Sequence, residues 1–146
     1  MATTGLQREA RRAALSILKA NAGLTAIVPA ARLYSQRVPA APIWPFVKMG
    51  PTQSLPVRAA CTRGAVVAFT VHAFAKPRMS GASEVETAED YASRIGAAIE
   101  AALNESRATF TGGTIRFRLS EMQLLQDAAE ADAYHYFAVV SARVMA

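Results

Sequence analysis

The sequence of 146 residues has the length of one domain, since single domains usually run to roughly 100–200 residues. Its hydrophobic fraction of 52% and mean hydropathy of +0.16 suffice for a packed core and argue against disorder. No apolar run approaches the ~20 residues needed to span a bilayer, and the charged segment Gln7–Arg12 is unlike a secretory signal. We therefore expect one domain, residues 1–146, that is made in the cytoplasm and has no membrane partner.

The net charge of +5 hides a strong asymmetry along the chain. Residues 1–80 hold eleven Lys or Arg against one acid, whereas residues 81–146 hold five Arg against ten acids. The two parts therefore carry charges of +10 and −5. A basic half is typical of nucleic-acid binding. A chain with one positive and one negative face also suits head-to-tail contact between identical copies, the mode that closes into rings.

The first predicted element is an amphipathic helix. Thr4 and Gln7 form a capping-box pattern, and apolar residues then recur at helical spacing over Leu6–Leu18. Two short strands are predicted next, Arg32–Val38 and Phe46–Gly50, in a stretch that several prolines interrupt.

The middle of the chain contains one clear strand between two predicted loops. Pro51–Arg63 has no hydrophobic period and is interpreted as a long loop, a kind of segment that often carries function. Ala65–Ala75 is apolar on both faces, as expected for a central strand covered on both sides. The residues Lys76–Ala82 are predicted to form a second loop.

The last part of the chain predicts a helix followed by two strands. Ser83 and Glu86 form a second capping-box pattern, and an apolar stripe runs from there to Leu103. Alternation predicts strands over Ile115–Leu125, with an irregularity after residue 120, and over Tyr134–Val144. The order of elements predicts an α+β fold in which a mostly antiparallel sheet of about five strands packs against two main helices.

Few residues of the chain are suited to catalysis or metal binding. His72 and His135 lie in predicted strands and Cys61 in a predicted loop, and none has the spacing of a metal-ligand set or of a nucleophile with its base. Gly112 and Gly113 precede a strand rather than a helix, so they do not form a phosphate-binding loop. We therefore expect no enzyme activity, no cofactor and no metal.

Nucleic-acid binding is an alternative that the charges suggest. Arg8, Arg11 and Arg12 lie on one turn of the first predicted helix. The sequence contains no helix-turn-helix pattern, zinc knuckle or aromatic-basic motif, however. Contact with DNA through charge alone would be weak and sensitive to salt.

Four segments carry a resemblance through their order and spacing. They are LKANAGLTAIVPAARLYSQRVP, PIWPFVKMG, VVAFTVHAFA followed by EVETAEDYASRIGAAIEAAL, and the closing YHYFAVVSARV. Together they resemble the tail-completion, or tail-terminator, proteins of siphophages and gene transfer agents over about Leu15–Val144. The chain departs from the family pattern at Pro45, an extra proline beside an aromatic residue, and at Lys48 inside a predicted strand.

The resemblance implies a structural protein in the tail neck of a virion or virion-like particle, assembled in the host cytoplasm. It implies a hexameric ring that caps the tail tube and joins the tail to the head. The partners would be further copies of the chain, the tail tube protein and the head-tail connector or stopper protein, with passing DNA contact in the lumen. Another neck or minor tail protein, such as a head-tail adaptor, and a basic DNA-binding domain remain as alternatives.

The charge split suggests which residues would lie between subunits. The two predicted loops are expected to make contacts, and the basic first half of one subunit is expected to meet the acidic helix start of the next. The candidate interface residues are Arg58, Arg63, Lys76, Arg78, Glu84, Glu86, Glu89 and Asp90.

Overall fold

A computed structural model describes residues 5–59 and 61–146, so Thr4 of the first predicted capping box lies outside the described residues. The helices are α1 (Leu6–Ala20), α2 (Ala22–Thr25) and α3 (Ala88–Leu103), with a 3-10 turn at Ala30–Arg32. The strands are β1 (Leu33–Tyr34), β2 (Phe46–Ala59), β3 (Thr62–Ala75), β4 (Arg78–Ser80), β5 (Ser83–Glu86), β6 (Arg107–Phe110), β7 (Gly113–Gln126) and β8 (Tyr134–Met145).

Six of these strands form one sheet, in the order β1-β2-β3-β8-β7-β6. β1 and β2 run parallel, and the other neighbouring pairs of the sheet are antiparallel. β4 and β5 form a separate hairpin. The predicted α+β class is confirmed, although the sheet has six strands rather than about five.

The two long helices pack on one face of the sheet. Every second residue of β3 from Ala65 to Ala75 is buried, as is every second residue of β8 from Ala138 to Val144. The helices cover these positions with the apolar stripes Leu6, Ala10, Ala14, Leu18, Ala92, Ile95, Ile99 and Leu103. Each large apolar side chain that is fully buried stabilises the fold by about 1.5–3 kcal/mol. None of the described helices is long and apolar enough to cross a bilayer.

The predicted loop Pro51–Arg63 is wrong, because its described residues include the second half of β2 and the start of β3. β2 pairs with β3 along its length, with a bulge between Met49 and Thr52. The bulge interrupts the alternation on which the prediction depended. Pro51 and Pro56 are tolerated here because no described strand pairs with the outer side of this half of β2.

The predicted loop Lys76–Ala82 and the predicted start of the second helix are also wrong. The chain forms the β4–β5 hairpin, which turns at Gly81 with a φ of +61°. α3 begins after Thr87, whose hydroxyl accepts a hydrogen bond of 3.2 Å from the backbone N–H of Asp90. Ser83 lies in β5, so its capping-box pattern does not start a helix.

Two further differences concern weak strands. The predicted strand Arg32–Val38 is reduced to the two residues of β1, and β6 was not predicted because only Ala108 and Phe110 of its residues pack against the core. The predicted extension of the next strand past an irregularity is confirmed, since the register of β7 shifts between Leu119 and Glu121.

Candidate functional site

The sheet face opposite the long helices, which we call the open face, carries an aromatic cluster. Phe74 stacks on Phe46 with 4.9 Å between ring centroids and on His135 with 4.3 Å. Trp44 meets Phe46 edge to face at 5.0 Å, and the Lys76 ammonium lies 4.8 Å from the Trp44 ring. Phe46, Phe74 and His135 are register partners on β2, β3 and β8, so these three rings form a fixed surface, and Trp44 joins it from the loop before β2.

Two histidines and a threonine of the open face form a hydrogen-bonded chain. His72 Nδ1 lies 2.5 Å from His135 Nε2, and His72 Nε2 lies 2.6 Å from Thr70 Oγ1. One neutral tautomer satisfies both contacts: the threonine hydroxyl donates to Nε2, and Nδ1–H donates to His135. Burial, followed by the charges of His135 and Lys48, lowers the pKa of His72 to about 4. His72 is therefore uncharged at neutral pH.

The hydrogen-bonded chain does not have the chemistry of a nucleophile and its base. His72 is oriented by an imidazole rather than a carboxylate, so a positive charge on His72 would be repelled rather than stabilised. With a pKa of about 4, His72 is also a poor base at neutral pH. Among residues 5–59 and 61–146, no three His, Cys, Asp or Glu side chains are arranged to hold a metal ion. The three hydrogen-bonded side chains link β3 to β8.

Each edge of the sheet is half covered and half open. β1 pairs with β2 at Val47 and Lys48, and the outer side of β2 beyond Gly50 has no backbone partner among the described residues. At the opposite edge, β6 and the residues before it contact the backbone of β7 as far as Leu119. Past that point the outer side of β7 is open over the part of the chain that the structure describes. Open edges can pair with a further strand.

The two open segments lie at diagonally opposite corners of the sheet. The β2 corner, residues 52–58, pairs with residues 63–69 of β3. The β7 corner, residues 121–126, pairs with residues 134–139 of β8, which in turn pair with residues 70–75 of β3. One corner therefore lies at each end of the central strands.

The β7 corner is apolar and is followed by an acidic turn. Met122, Leu124 and Leu125 are 40%, 37% and 41% exposed, although they lie within a strand. The turn that follows contains Asp127 and Asp132. Large exposed apolar side chains that lie next to each other are typical of an interaction surface.

The β2 corner is apolar and basic. Leu55 is 58% exposed, and the exposed Arg58 faces Arg63 in register across the hairpin. Cys61 lies at the turn between the two strands, exposed and with a φ of +74°. This tip therefore carries two cations, of which Arg63 also contacts the rest of the chain.

Comparison with known proteins identifies the class to which the chain belongs. The family model described as "Tail completion protein gp17" matches residues 12–145. The chain belongs to this family. A chain from the structure "Virion of native gene transfer agent (GTA) particle" has the same fold, with a TM-score of 0.72 at 21% identity over 91% of this chain and 92% of that one. No curated protein sequence matches the chain.

Membership of the tail completion family confirms the resemblance found in the sequence. It makes the chain a structural component of the tail or neck of a virion-type particle. The functional residues of such a component are expected at its contact surfaces, so the positions of the predicted interface residues matter.

Three of the predicted interface residues of this tail completion protein form the ion pairs described here within the chain. Glu86 accepts hydrogen bonds from Arg94 at 2.8 and 2.9 Å and from Arg78 at 3.1 Å. These bonds, with Arg94 the stronger influence, lower the pKa of the Glu86 carboxyl. Lys76 lies 3.5 Å from Glu130. The structure thus joins the β4–β5 hairpin to α3 rather than presenting these charges alone to a neighbour.

The remaining predicted residues of the tail completion protein lie at two ends of the molecule. Arg58 and Arg63 lie at the tip of the β2–β3 hairpin, and Arg63 also contacts the rest of the chain. Glu84, Glu89 and Asp90 are exposed on β5 and in the first turn of α3. The structure brings each group together and keeps the two groups at opposite ends of the molecule.

Sequence analysis missed a basic group in the acidic half of the chain. Arg107, Arg116 and Arg143 are register partners on β6, β7 and β8, and Arg118 lies two residues along β7. Ile115 and Phe117 are buried, so alternation directs Arg116 and Arg118 to the open face. We call these four arginines the arginine row. The alternation of the β7 segment was visible in the sequence, but the strand pairing that aligns the row was not.

Proposed function

We propose that this tail completion protein closes into a ring of identical subunits that caps the tail tube and joins it to the head connector. The observation that carries the proposal is the pair of open corners at opposite edges of one sheet. One corner is apolar and basic and the other is apolar and acidic. The charges of unlike corners on two copies therefore attract each other, whereas those of like corners repel. Contact of this head-to-tail kind repeats from copy to copy and closes when the rotation between copies completes a circle.

Strand directions allow the two corners to pair. β2, β3, β8 and β7 are successive antiparallel neighbours, so β7 runs opposite to β2. When two copies have the same orientation, the β7 corner of one therefore meets the β2 corner of the next as an antiparallel pair. Backbone hydrogen bonds would supply affinity, and Leu55 would pack against Met122 and Leu124 of the neighbour.

Charge favours the same arrangement. Antiparallel pairing aligns the end of the β2 corner with the start of the β7 corner, so Arg58 would lie near the exposed Glu121 of the next copy. This contact differs from the one expected from sequence, in which the basic half meets the start of the second helix. Intrachain bonds already neutralise Glu86 there.

The other predicted interface residues lie at the opposite end of the β3 strand from Arg58. We assign Glu84, Glu89 and Asp90, with the Lys76 and Arg78 hairpin, to contact with the tail tube protein or the head-tail connector. The six-fold stoichiometry follows from the family resemblance. Function in this arrangement resides in interfaces, so the proposal requires no catalytic group and no cofactor.

Lysine substitutions at the β7 corner test the proposal. Met122→Lys with Leu124→Lys places two charges at exposed positions of the open edge, where added charge opposes strand pairing but leaves the core intact. Ile43→Lys is the matched control, since Ile43 is 64% exposed in the loop before β2 and belongs to neither corner.

The readout is ring formation on tail tubes, followed by electron microscopy and native mass measurement. We expect the double variant to remain folded and monomeric, whereas wild type and the Ile43→Lys control form rings. Rings formed by the double variant with wild-type yield would overturn the proposed interface.

A further inference from the structure

The arginine row brings four cations of the acidic half of the chain into one patch. Arg107, Arg116 and Arg143 are aligned across three neighbouring strands, which lie about 4.8 Å apart in a sheet. Arg118 extends the row along β7. A groove of about 420 Å³ runs beside the row, lined by Arg116, Arg118, Arg143, Ser120 and Ser141.

Among the described residues, the carboxylate of Glu105 contacts the row. Glu105 accepts a hydrogen bond of 2.6 Å from Arg116 Nη2 and lies 3.1 Å from Arg118 Nε. The hydrogen bond from Arg116, followed by the charges of Arg118, Arg116 and Arg107, lowers the pKa of the Glu105 carboxyl. The single charge of Glu105 offsets only one of the four arginines of the row, so the patch keeps a strong positive charge. Facing arginines repel each other across strands, so a multivalent anion would stabilise the arrangement.

We propose that the arginine row binds the phosphate backbone of duplex nucleic acid. The inference deepens the proposed function and rests on it for its setting, since a ring at the end of a tail tube would surround the passing DNA. Guanidinium groups bind phosphate oxygens through paired hydrogen bonds, and serine hydroxyls of the groove can donate further ones.

The surroundings of the row favour a phosphate backbone over bases. The aromatic rings of the open face lie at the other end of β3 and β8, around Phe74 and His135, so none of the rings of that cluster is placed to stack on a base at the row. A regular line of cations suits a polymer with regularly spaced negative charges. Binding is therefore expected to be independent of sequence and strongly dependent on salt.

The test is fluorescence anisotropy of a labelled 30-base-pair duplex with the full-length protein at 50 to 200 mM NaCl. Four phosphate contacts predict a slope of about −3.6 in log affinity against log salt, which amounts to about 150-fold weaker binding across that range. Arg116→Gln with Arg143→Gln should reduce the slope by about 1.8. Lys19→Gln with Arg37→Gln removes the same charge from exposed positions elsewhere and should leave the slope within about 0.5 of wild type.

The Glu105→Gln variant is expected to change DNA affinity in the opposite direction. It removes the carboxylate that competes with phosphate, so it should tighten DNA binding several-fold, which mere structural damage would not do. Absence of binding at 50 mM salt, equal loss in the row and control variants, or equal competition by polyglutamate of matched charge would overturn the inference. Native mass measurement of the same preparations distinguishes the two proposals. Rings that do not bind DNA would contradict only the proposed role of the arginine row. DNA binding by protein that forms no rings would contradict only the proposed ring.

Discussion

The imidazole rings of His72 and His135 meet across β3 and β8, with 2.5 Å between Nδ1 of the first and Nε2 of the second. The contact leaves room for one shared proton. Burial is the main cause that lowers the pKa of both rings; the charges of His135 and Lys48 lower that of His72 further, and Lys48 lowers that of His135 against the opposing charge of Asp127.

This pair predicts a loss of stability in mild acid. The pKa of His72 is about 4 in the folded chain and about 6.5 when unfolded, so between these values the unfolded chain binds more protons. Uncharged His72 makes its full contribution to the free energy of unfolding above pH 6.5. This contribution is lost as the pH falls towards 4, by at most about 3 kcal/mol. Urea unfolding of wild type and His72→Phe at several pH values measures it. The stability advantage of wild type over the variant should shrink as the pH falls, and a constant difference would contradict the assignment.

A glycine in the middle of α3 permits close packing of an aromatic ring. A Cβ atom at Gly96 would lie 2.3 Å from Cε1 of Tyr136. We therefore expect Gly96→Ala to destabilise the fold by about 1–3 kcal/mol, although alanine favours a helix over glycine by about 1 kcal/mol. Denaturant unfolding measures the change, and Ala97→Gly, at an exposed neighbour, is the control for helix propensity. Full stability of Gly96→Ala would show that the ring does not lie there, whereas relief of the defect by Tyr136→Ala would confirm that it does.

The start of α3 distinguishes the cap seen in the structure from the one predicted by sequence. Thr87 accepts the hydrogen bond from the Asp90 N–H, whereas Ser83 is an exposed strand residue. Thr87→Ala should destabilise the fold by about 1 kcal/mol, with Thr87→Ser close to wild type. Ser83→Ala should change stability by less than about 0.5 kcal/mol. Thermal or urea unfolding that shows the reverse order would restore the capping box at Ser83 and Glu86.

The single cysteine reports on the β2 corner without any engineered label. Cys61 is exposed at the hairpin tip beside Arg58 and Arg63. In the proposed ring this tip lies against the next subunit, so maleimide should modify assembled rings at least about tenfold more slowly than free protein. Ile43→Cys in a Cys61→Ser background is the control and should react equally in both states. Unchanged reactivity of Cys61 on assembly would place the tip outside the interface.

The sequence predicted those parts of the fold in which a single period is unbroken. α1, the core of β3, the body of α3 and β8 follow helical or alternating patterns, because one face of each meets the same core. β2 was missed beyond Gly50 because a bulge and two prolines break its alternation, and these are tolerated only because that edge is open. Openness of an edge is a property of the assembled sheet and cannot be read from one segment.

Some features of the candidate site could likewise be predicted from the sequence, and others could not. Composition showed that the halves of the chain carry opposite charge; Arg58 and Glu84 are exposed, and their place at an interface stays a prediction. It could not show that Arg78 and Glu86 neutralise each other, because the hairpin that pairs them was predicted as a loop. Nor could it show that Arg107, Arg116 and Arg143 align, because that depends on the pairing of three strands.

The most direct measurement of ring closure is class-averaged electron microscopy of the tail neck in mature particles that contain this chain. We expect a closed ring of six copies in which the β2 corner of each copy pairs with the β7 corner of the next. A single copy of the chain in the mature particle would contradict ring closure, and a ring whose subunits meet at other surfaces would contradict the proposed interface.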